Sequence, residues 1–396
     1  MSDPTQWQSP AGSGWAPPAA PNGWAPPQGE RPAPQYGQYA PQPAPGSGGW
    51  TPPPKPGLIP LRPLDIGTLL GASFQVLRRN PKPMFGFTVL LTGLTSLVGI
   101  AVTGVVTFFA LGRIDSAPAD ELDLILAGSI GSIVLSALVP MVLSTLAFAI
   151  LQGVVTLEVA RGSLGEKNRL PELWRHAKGR VGALVGWSAL LLLAGLLGIG
   201  AVAGVIALGA VLGGAVGTAI GIGIALLLGV GMLVLAAWIG TKLSFVPSAL
   251  MLERRTLRDA IRRSWSLTNG AFWRILGVQL LVTVIVQTAV SIITTPLSLV
   301  ASIAPALIAP NGEVGTGLIV VGVVYVLSVV LTIIASSIAY VMQCSVVALL
   351  FIDRRMRVEG LDLVLQRYVD ARAAGREAED PFGAPAEPAR PGSSWA

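Results

Sequence analysis

The stretch Val181–Gly240 contains no charged residue. It is too long for a single membrane-spanning helix, which needs roughly 20 apolar residues. The rest of the chain follows the same trend, because 52% of its 396 residues are apolar and only 12% are charged. An average soluble domain has about 25% charged residues, and so little charge cannot cover a globular surface of this size. The sequence therefore predicts an integral membrane protein.

Four other segments are also free of charge and long enough to cross a bilayer: Met84–Leu111, Leu124–Leu157, Ile275–Ala309 and Val314–Ile352. Glycines cluster at Val211–Gly217, so the long central stretch is predicted to turn there and to cross twice. The sequence thus predicts an all-α integral membrane protein with six transmembrane helices.

The loops between the predicted spans alternate between basic and non-basic. Basic residues precede the first span, fill the loops after the second and fourth spans, and follow the last one. Because cytoplasmic loops carry the excess of Lys and Arg, this pattern predicts a multi-pass protein of the cell membrane with both termini in the cytoplasm. The net charge of +6 is then explained by the basic residues of the cytoplasmic loops. The sequence has no soluble module with a stripe of basic residues, which is the pattern that would indicate nucleic-acid binding.

The first 57 residues are rich in Pro, Gly, Gln and Trp, and the units Gly14–Pro18, Gly23–Pro27 and Gly49–Pro53 repeat one pattern. A segment with so few aliphatic residues cannot bury enough surface to offset the entropy of ordering its chain. Residues 1–57 are therefore predicted to be a disordered cytoplasmic tail with polyproline II character. The tail is either a solvated tether or a ligand for a protein partner.

Short basic segments precede three of the predicted spans within the membrane domain, which we assign to residues 58–352. Each segment places apolar residues along one helical face: Asp65–Asn80, Pro171–Val181 and Thr256–Asn269. Such helices lie in the membrane interface. The membrane domain is therefore predicted to consist of three pseudo-repeats, each an interfacial helix followed by a helical hairpin. Residues 353–396 are predicted as a cytoplasmic juxtamembrane helix and a disordered C-terminal tail.

Basic residues at these boundaries are candidate ligands of anionic lipid head groups on the cytoplasmic side. They are Arg78, Arg79, Arg175, Lys178, Arg180, Arg254, Arg255, Arg258, Arg262, Arg263, Arg354 and Arg355. Their distribution predicts membrane lipids as the main partners of the chain.

A second set of candidates lies within the apolar segments: Lys242, Gln152, Gln279, Gln287 and Gln343. A charged residue inside a membrane is a candidate functional site, although Lys242 is close enough to a span end to extend to the interface. The glutamines either hydrogen-bond between helices or line a polar pathway. A polar cavity at membrane depth with Lys242 in it would favour the second interpretation.

The sequence contains few of the residues that catalytic sites use. The single cysteine, Cys344, lies in an apolar span, and the single histidine, His176, lies on a basic segment. A metal site or a catalytic triad needs more ligands or partners than these. We therefore predict no catalytic, cofactor-binding or metal-binding residues.

Three motifs carry a resemblance to a known family: Ile59–Leu64, Ala260–Arg274 and Phe351–Leu363. Together they resemble an actinobacterial multi-pass family described as the membrane domain of glycerophosphoryl diester phosphodiesterase. The resemblance implies that the enzymes with this membrane domain catalyse their reaction in a separate, metal-dependent barrel domain. That barrel uses a pair of histidines. One histidine cannot supply that pair, so the resemblance implies a membrane domain without the enzymatic activity.

Two functions are consistent with these features of the sequence. The first is a non-catalytic membrane scaffold or accessory protein of the cell envelope that contacts anionic lipids. The alternative is a transporter or permease for a small molecule or lipid with a polar site at mid-membrane depth, since internal repeats and helices broken by proline are typical of transporters.

Overall fold

The computed structural model describes residues 57–166, 170–308, 314–376 and 378–383. These residues belong to the unit Pro52–Ala396; the other unit, Met1–Thr51, lies outside the described residues, as do residues 52–56 of the predicted N-terminal tail and residues 384–396 at the C-terminal end. The regular structure of the described part is helical, in chain order α1 Ile66–Arg79, α2 Pro81–Asp115, α3 Leu122–Ser136, α4 Leu138–Ser163, α5 Leu170–Lys178, α6 Val181–Leu243, α7 Val246–Leu252, α8 Leu257–Thr268, α9 Phe272–Ile308, α10 Val314–Glu359 and α11 Leu361–Ala373.

Within these residues, five segments are long and apolar enough to cross a membrane. They are Met84–Asp115, Leu122–Ser163, Val181–Leu252, Phe272–Val300 and Val321–Glu359. Each corresponds to one of the five apolar segments of the sequence, which confirms a helical protein with several candidate spans. The number of crossings depends on the third segment, whose 72 residues exceed what one crossing needs.

The third segment doubles back at Gly214. Gly214 interrupts α6 with φ +53°, a left-handed conformation that glycine adopts at little steric cost. It lies within the predicted turn at Val211–Gly217. The two halves of α6 pack closely on either side of it: a Cβ on Gly221 would lie 3.1 Å from the Val205 carbonyl oxygen, and one on Gly217 would collide with the Gly209 carbonyl oxygen. Glycine therefore permits the close contact between the two halves.

The three basic segments all form helices, and α1 and α8 begin with side-chain caps. Asp65 caps α1, because its carboxylate accepts a hydrogen bond from the Thr68 backbone amide at 3.4 Å, and Thr256 caps α8 by accepting from the Asp259 amide at 3.3 Å. These side chains satisfy backbone donors that the first helical turn leaves free. Gly270, with φ +76°, follows α8 and ends it.

The faces of α1 differ from the single apolar stripe of the sequence. Leu69, Ala72, Ser73 and Val76 are buried against the protein. The stripe predicted from the sequence consists of Ile66, Leu70, Phe74 and Leu77, and of these Phe74 is 50% exposed. The helix thus carries one apolar face toward the protein and another toward its surroundings, which suits an interfacial position.

Buried apolar residues concentrate at one end of the helical bundle. This end, which we call the basic end, consists of α1, α5, α7, α8 and α11 together with the C-terminal parts of α4 and α10. The spans beyond it are largely exposed: only 6% of the most apolar window of Met84–Asp115 is buried. Exposed apolar surface of this extent is what a lipid-facing helix presents.

Candidate functional site: a glutamine-lined cavity and the ion pairs at the basic end

The basic end is held together by a buried acid, Glu253, between α7 and α8. Its side chain is fully buried and accepts hydrogen bonds from Arg263 Nη2 at 2.9 Å and Arg255 Nε at 2.5 Å. The Arg355 Nε lies 3.5 Å from Glu253 Oε1 and 3.0 Å from Glu359 Oε2, and Arg263 also pairs with Glu359. Loss of one partner from such a buried pair leaves an uncompensated charge, which is strongly destabilising.

The electrostatic effect of this network is visible at Arg263, which lies outside the candidate spans. Burial by itself lowers the pKa of the Arg263 guanidinium, but the hydrogen bonds and negative charges of Glu253 and Glu359 outweigh it and raise that pKa. Arg263 therefore remains positively charged and serves as a bridge between α8 and α10.

A second buried acid, Asp353 on α10, fixes the segment before α1. Its Oδ1 accepts a hydrogen bond from the Leu64 backbone amide at 2.7 Å, and Arg357 Nε donates to both carboxylate oxygens at 3.0 Å. Arg274 Nη2 lies 3.3 Å from Asp353 Oδ2 and donates to the Leu64 carbonyl oxygen at 2.8 Å. This cluster joins the two ends of the membrane domain and the start of α9.

Other basic residues at this end hold backbone carbonyl groups. The Arg79 Nη1 donates to the Gly162 carbonyl oxygen at 2.8 Å, and the Arg180 Nη2 donates to that of Arg254 at 2.6 Å. The Arg354 Nε donates to the Leu267 carbonyl oxygen at 3.0 Å. These guanidinium groups satisfy carbonyl groups at helix ends and in loops that no helical hydrogen bond reaches.

The predicted head-group ligands therefore divide into two sets. Six have side chains in the contacts just described: Arg79, Arg180, Arg255, Arg263, Arg354 and Arg355. The other six are exposed at the basic end: Arg78, Arg175, Lys178, Arg254, Arg258 and Arg262. Lipid contact stays a prediction for all of them, but the exposed set has the side chains that can reach a head group.

Lys242, the candidate charge within an apolar segment, points toward the basic end. Its Nζ donates to Asn269 Oδ1 at 2.6 Å and lies 5.4 Å from the ring centroid of Trp265 and 5.9 Å from that of Phe272. The side chain thus extends along the helix to a polar partner and two aromatic faces, which stabilise its charge.

A cavity of about 590 Å³ lies between α4, both halves of α6, α7, α9 and α10, within the candidate spans. Its walls are mainly aliphatic and aromatic, with Trp187, Met232 and Val282 among them. The polar groups are the side chains of Gln152, Gln279, Gln343, Thr283 and Ser244. Ligand sites typically have about this volume and this combination of apolar walls with a few polar groups.

The structure brings three of the four predicted glutamines into this cavity. None of the side-chain amides of Gln152, Gln279 and Gln343 forms a hydrogen bond with another residue that the structure describes. The Gln279 Nε2 is buried without a partner in that part of the chain. Gln287 is exposed on α9 instead, and Lys242 is not among the lining residues. The helix-packing interpretation of the glutamines therefore does not account for these three.

Sequence reasoning missed the roles of Glu253 and Asp353, although a signal for these two buried acids exists. Glu253 and Asp353 each stand immediately beside arginines, in Glu253-Arg254-Arg255 and Asp353-Arg354-Arg355, and an acid adjacent to a basic group at a membrane boundary is a candidate for pairing. Cys344, as expected, is buried in α10. Among the described residues no three His, Cys, Asp or Glu side chains are grouped as metal ligands.

The apolar helices and the polarised basic end define an α-helical, multi-pass membrane protein. Residues 218–355 match the family model described as the membrane domain of glycerophosphoryl diester phosphodiesterase, which confirms the resemblance over that part of the chain. The matched range contains Gln279, Gln343, Glu253 and Asp353, and it covers a membrane domain without a catalytic domain. No curated protein and no solved structure matches the chain.

Proposed function

We propose that this protein is a lipid permease, which takes an uncharged, largely apolar molecule from the bilayer into the cavity between α4, α6, α9 and α10. The observation that carries the proposal is the group of three glutamine amides that face this cavity without partners. An amide in apolar surroundings without a hydrogen bond costs about 1–3 kcal/mol in proteins. Three such groups favour a site that water or a ligand occupies.

The way into the cavity supports a ligand that comes from the membrane. Its α6 wall includes Leu191 and Leu235, which are 44% and 51% exposed, and Thr283 on α9 is also exposed. Because these residues face outward between spans, the cavity opens sideways toward the acyl chains of the bilayer. A molecule dissolved in the membrane enters without crossing water.

The polar groups of the cavity limit the chemistry of its occupant. None of its lining residues, all within the described part of the chain, is charged, so neither an ionic head group nor a free ion finds a counter-charge there. Amides and hydroxyl groups both donate and accept hydrogen bonds. The site suits a lipid whose polar region consists of ester, amide or hydroxyl groups, such as a diacylglycerol.

The same proposal includes the finer topology. With a turn at Gly214 the chain crosses the bilayer six times, as three units of interfacial helix and hairpin, and the basic end faces the cytoplasm. The protein acts without catalysis of its own, and its exposed basic residues hold it against anionic head groups. Those exposed residues also support the second candidate function, a membrane scaffold whose Pro-rich N-terminal tail binds a protein partner.

Photolabelling tests the permease. The full-length protein is reconstituted into phosphatidylcholine vesicles with a diacylglycerol that carries a diazirine in one acyl chain, and labelled peptides are mapped after irradiation. We expect labels on the cavity wall around Met232 and Val282. The triple variant Gln152→Leu, Gln279→Leu and Gln343→Leu should reduce this labelling at least about fivefold, because one lost hydrogen bond is worth about 1 kcal/mol.

Gln287→Leu is the matched control, because it removes an amide from the same helix α9 outside the cavity. It should leave labelling unchanged. Equal labelling of the cavity wall in the triple variant and in the wild type would contradict the permease, as would labels spread evenly over the exposed faces of the spans. In either case the scaffold would become the leading interpretation.

A further inference from the structure

A second, smaller cavity lies beside the first, and its lining is rich in hydroxyl groups. It has a volume of about 110 Å³ and lies between α2, α4 and α10, which is enough for several water molecules. Among its lining residues, Ser96, Ser336 and Tyr340 form no hydrogen bond through their hydroxyl groups with any residue that the structure describes. These hydroxyl groups are available to water or to a polar group of a ligand.

The two cavities follow one another along α4 and α10. On α4, Ser144 lines the small cavity, Phe148 lines both and Gln152 lines the large one. Residues four apart lie on the same face of a helix, so this face of α4 presents a hydroxyl group, a ring and an amide in that order.

The same order recurs on α10, where Ser336 and Tyr340 line the small cavity and Gln343 lines the large one. The two helices therefore run in the same direction along both cavities. Eight residues of helix from Ser144 to Gln152 separate the hydroxyl level from the amide level by about 12 Å.

Between the two levels the rings of Phe148 and Tyr340 are in contact. Their centroids are 5.6 Å apart and their planes are inclined by 64°, an edge-on arrangement that aromatic rings favour. Phe148 lines both cavities and is 36% exposed, and we take its ring as the partition between them.

We propose that the hydroxyl-lined cavity is a second binding site for the polar group of the ligand, and that the Phe148–Tyr340 ring pair is the gate between the two binding sites. The proposal rests on the permease proposed above for its ligand, but not for its gate. Rotation of the Phe148 side chain joins the amides to the hydroxyl groups in one polar path along α4 and α10. In the structure the paired rings lie between the amides and the hydroxyl groups.

The gate is tested by the reactivity of a thiol placed in the small cavity. The native thiol is removed by Cys344→Ala, and Ser336→Cys supplies a new one in the full-length protein. Its alkylation by iodoacetamide is followed by intact mass. Adding Phe148→Ala should raise the rate of alkylation about tenfold, equivalent to about 1.4 kcal/mol.

Two further variants control for altered folding. Phe148→Leu keeps an apolar side chain of intermediate size at the partition and should give an intermediate rate. Phe109→Ala removes a ring that is 63% exposed on α2 and lines neither cavity, so it should leave the rate unchanged. If Phe148→Ala unfolds the protein, the alkylation rate of the Phe148→Leu variant tests the gate instead.

The gate and the permease can fail separately. An unchanged alkylation rate in both Phe148 variants overturns the gate, even if diacylglycerol labels the large cavity. A tenfold faster rate without diacylglycerol labelling supports the gate and rejects the proposed ligand.

Discussion

The Asp353 carboxylate accepts a hydrogen bond from the Leu64 backbone amide at 2.7 Å, across 289 residues of chain. The contact fixes the segment before the first helix to the end of the last long helix. Asp353 is only 1% exposed, whereas Arg274 and Arg357, which share it, are 30% and 34% exposed. The carboxylate is therefore the buried member of the cluster, and the arginines reach it from the surface.

Asp353→Ala should lower the free energy of unfolding by about 3 kcal/mol, because it leaves two guanidinium groups and a buried amide without their acceptor. The estimate is at the lower end for a broken buried pair, since water reaches both arginines. Unfolding of the purified protein in mixed micelles measures it. Asp370→Asn, at an exposed position on α11, is the control and should change nothing measurable; equal losses in the two variants would contradict the role of Asp353.

Gly217→Ala should destabilise the protein by about 1–3 kcal/mol, as overpacking does in a close contact. The new methyl group would collide with the Gly209 carbonyl oxygen across the α6 hairpin. Gly223→Ala is the matched change, because a Cβ there meets nothing within 4 Å, and the higher helix propensity of alanine should stabilise it by up to about 1 kcal/mol. Thermal unfolding in detergent distinguishes the two signs, and a stabilising Gly217→Ala would mean that the two halves are not in contact.

Arg254→Gly should raise stability by up to about 1 kcal/mol. Arg254 has φ +50°, a conformation that strains residues with a Cβ, and its contact with Arg180 is made through its carbonyl oxygen, which glycine retains. Arg262→Gly, an exposed change in the middle of α8, should instead cost about 1 kcal/mol. Thermal unfolding of the two variants side by side checks the prediction, which fails if both lose stability.

Neutralising the exposed basic residues should weaken the preference for anionic lipid by about 1 kcal/mol for each charge. The variant combines Arg78→Gln, Arg175→Gln, Lys178→Gln, Arg258→Gln and Arg262→Gln, which leaves the internal ion pairs intact. The number of phosphatidylglycerol molecules retained in native mass spectrometry should fall. Arg113→Gln, exposed at the other end of α2, controls for the loss of charge alone. If the variant with five substitutions retained as many phosphatidylglycerol molecules as the wild type, the head-group contacts would be rejected.

Local signals in the sequence were sufficient to place the three basic helices and the turn within α6. The cap at Asp65, the turn around Gly214 and the stop at Gly270 each follow from the chemistry of one or two residues, which neighbouring sequence reveals. Contacts between distant residues were not predictable in this way. Nothing near Leu64 indicates that its amide meets Asp353, and the pairing of Glu253 with Arg355 requires the packed bundle.

The cavity was beyond sequence reasoning for a different reason. A helix that is apolar on all sides does not reveal which side faces protein and which faces lipid, so the glutamines could be identified as candidates but not assigned to a common site. The structure separates Gln287 from Gln152, Gln279 and Gln343, and it directs Lys242 to Asn269. Those assignments depend on the rotation of each span about its own axis.

The concentration of buried residues at the basic end has a mechanical consequence. At the opposite end Phe108 and Val211 are 74% and 82% exposed, so acyl chains rather than neighbouring helices press on the spans there. The hydrocarbon thickness and lateral pressure of the bilayer act on the far ends of the spans first. The membrane thus supports the outer half of the fold, whereas the ion pairs hold the basic end together from within the protein.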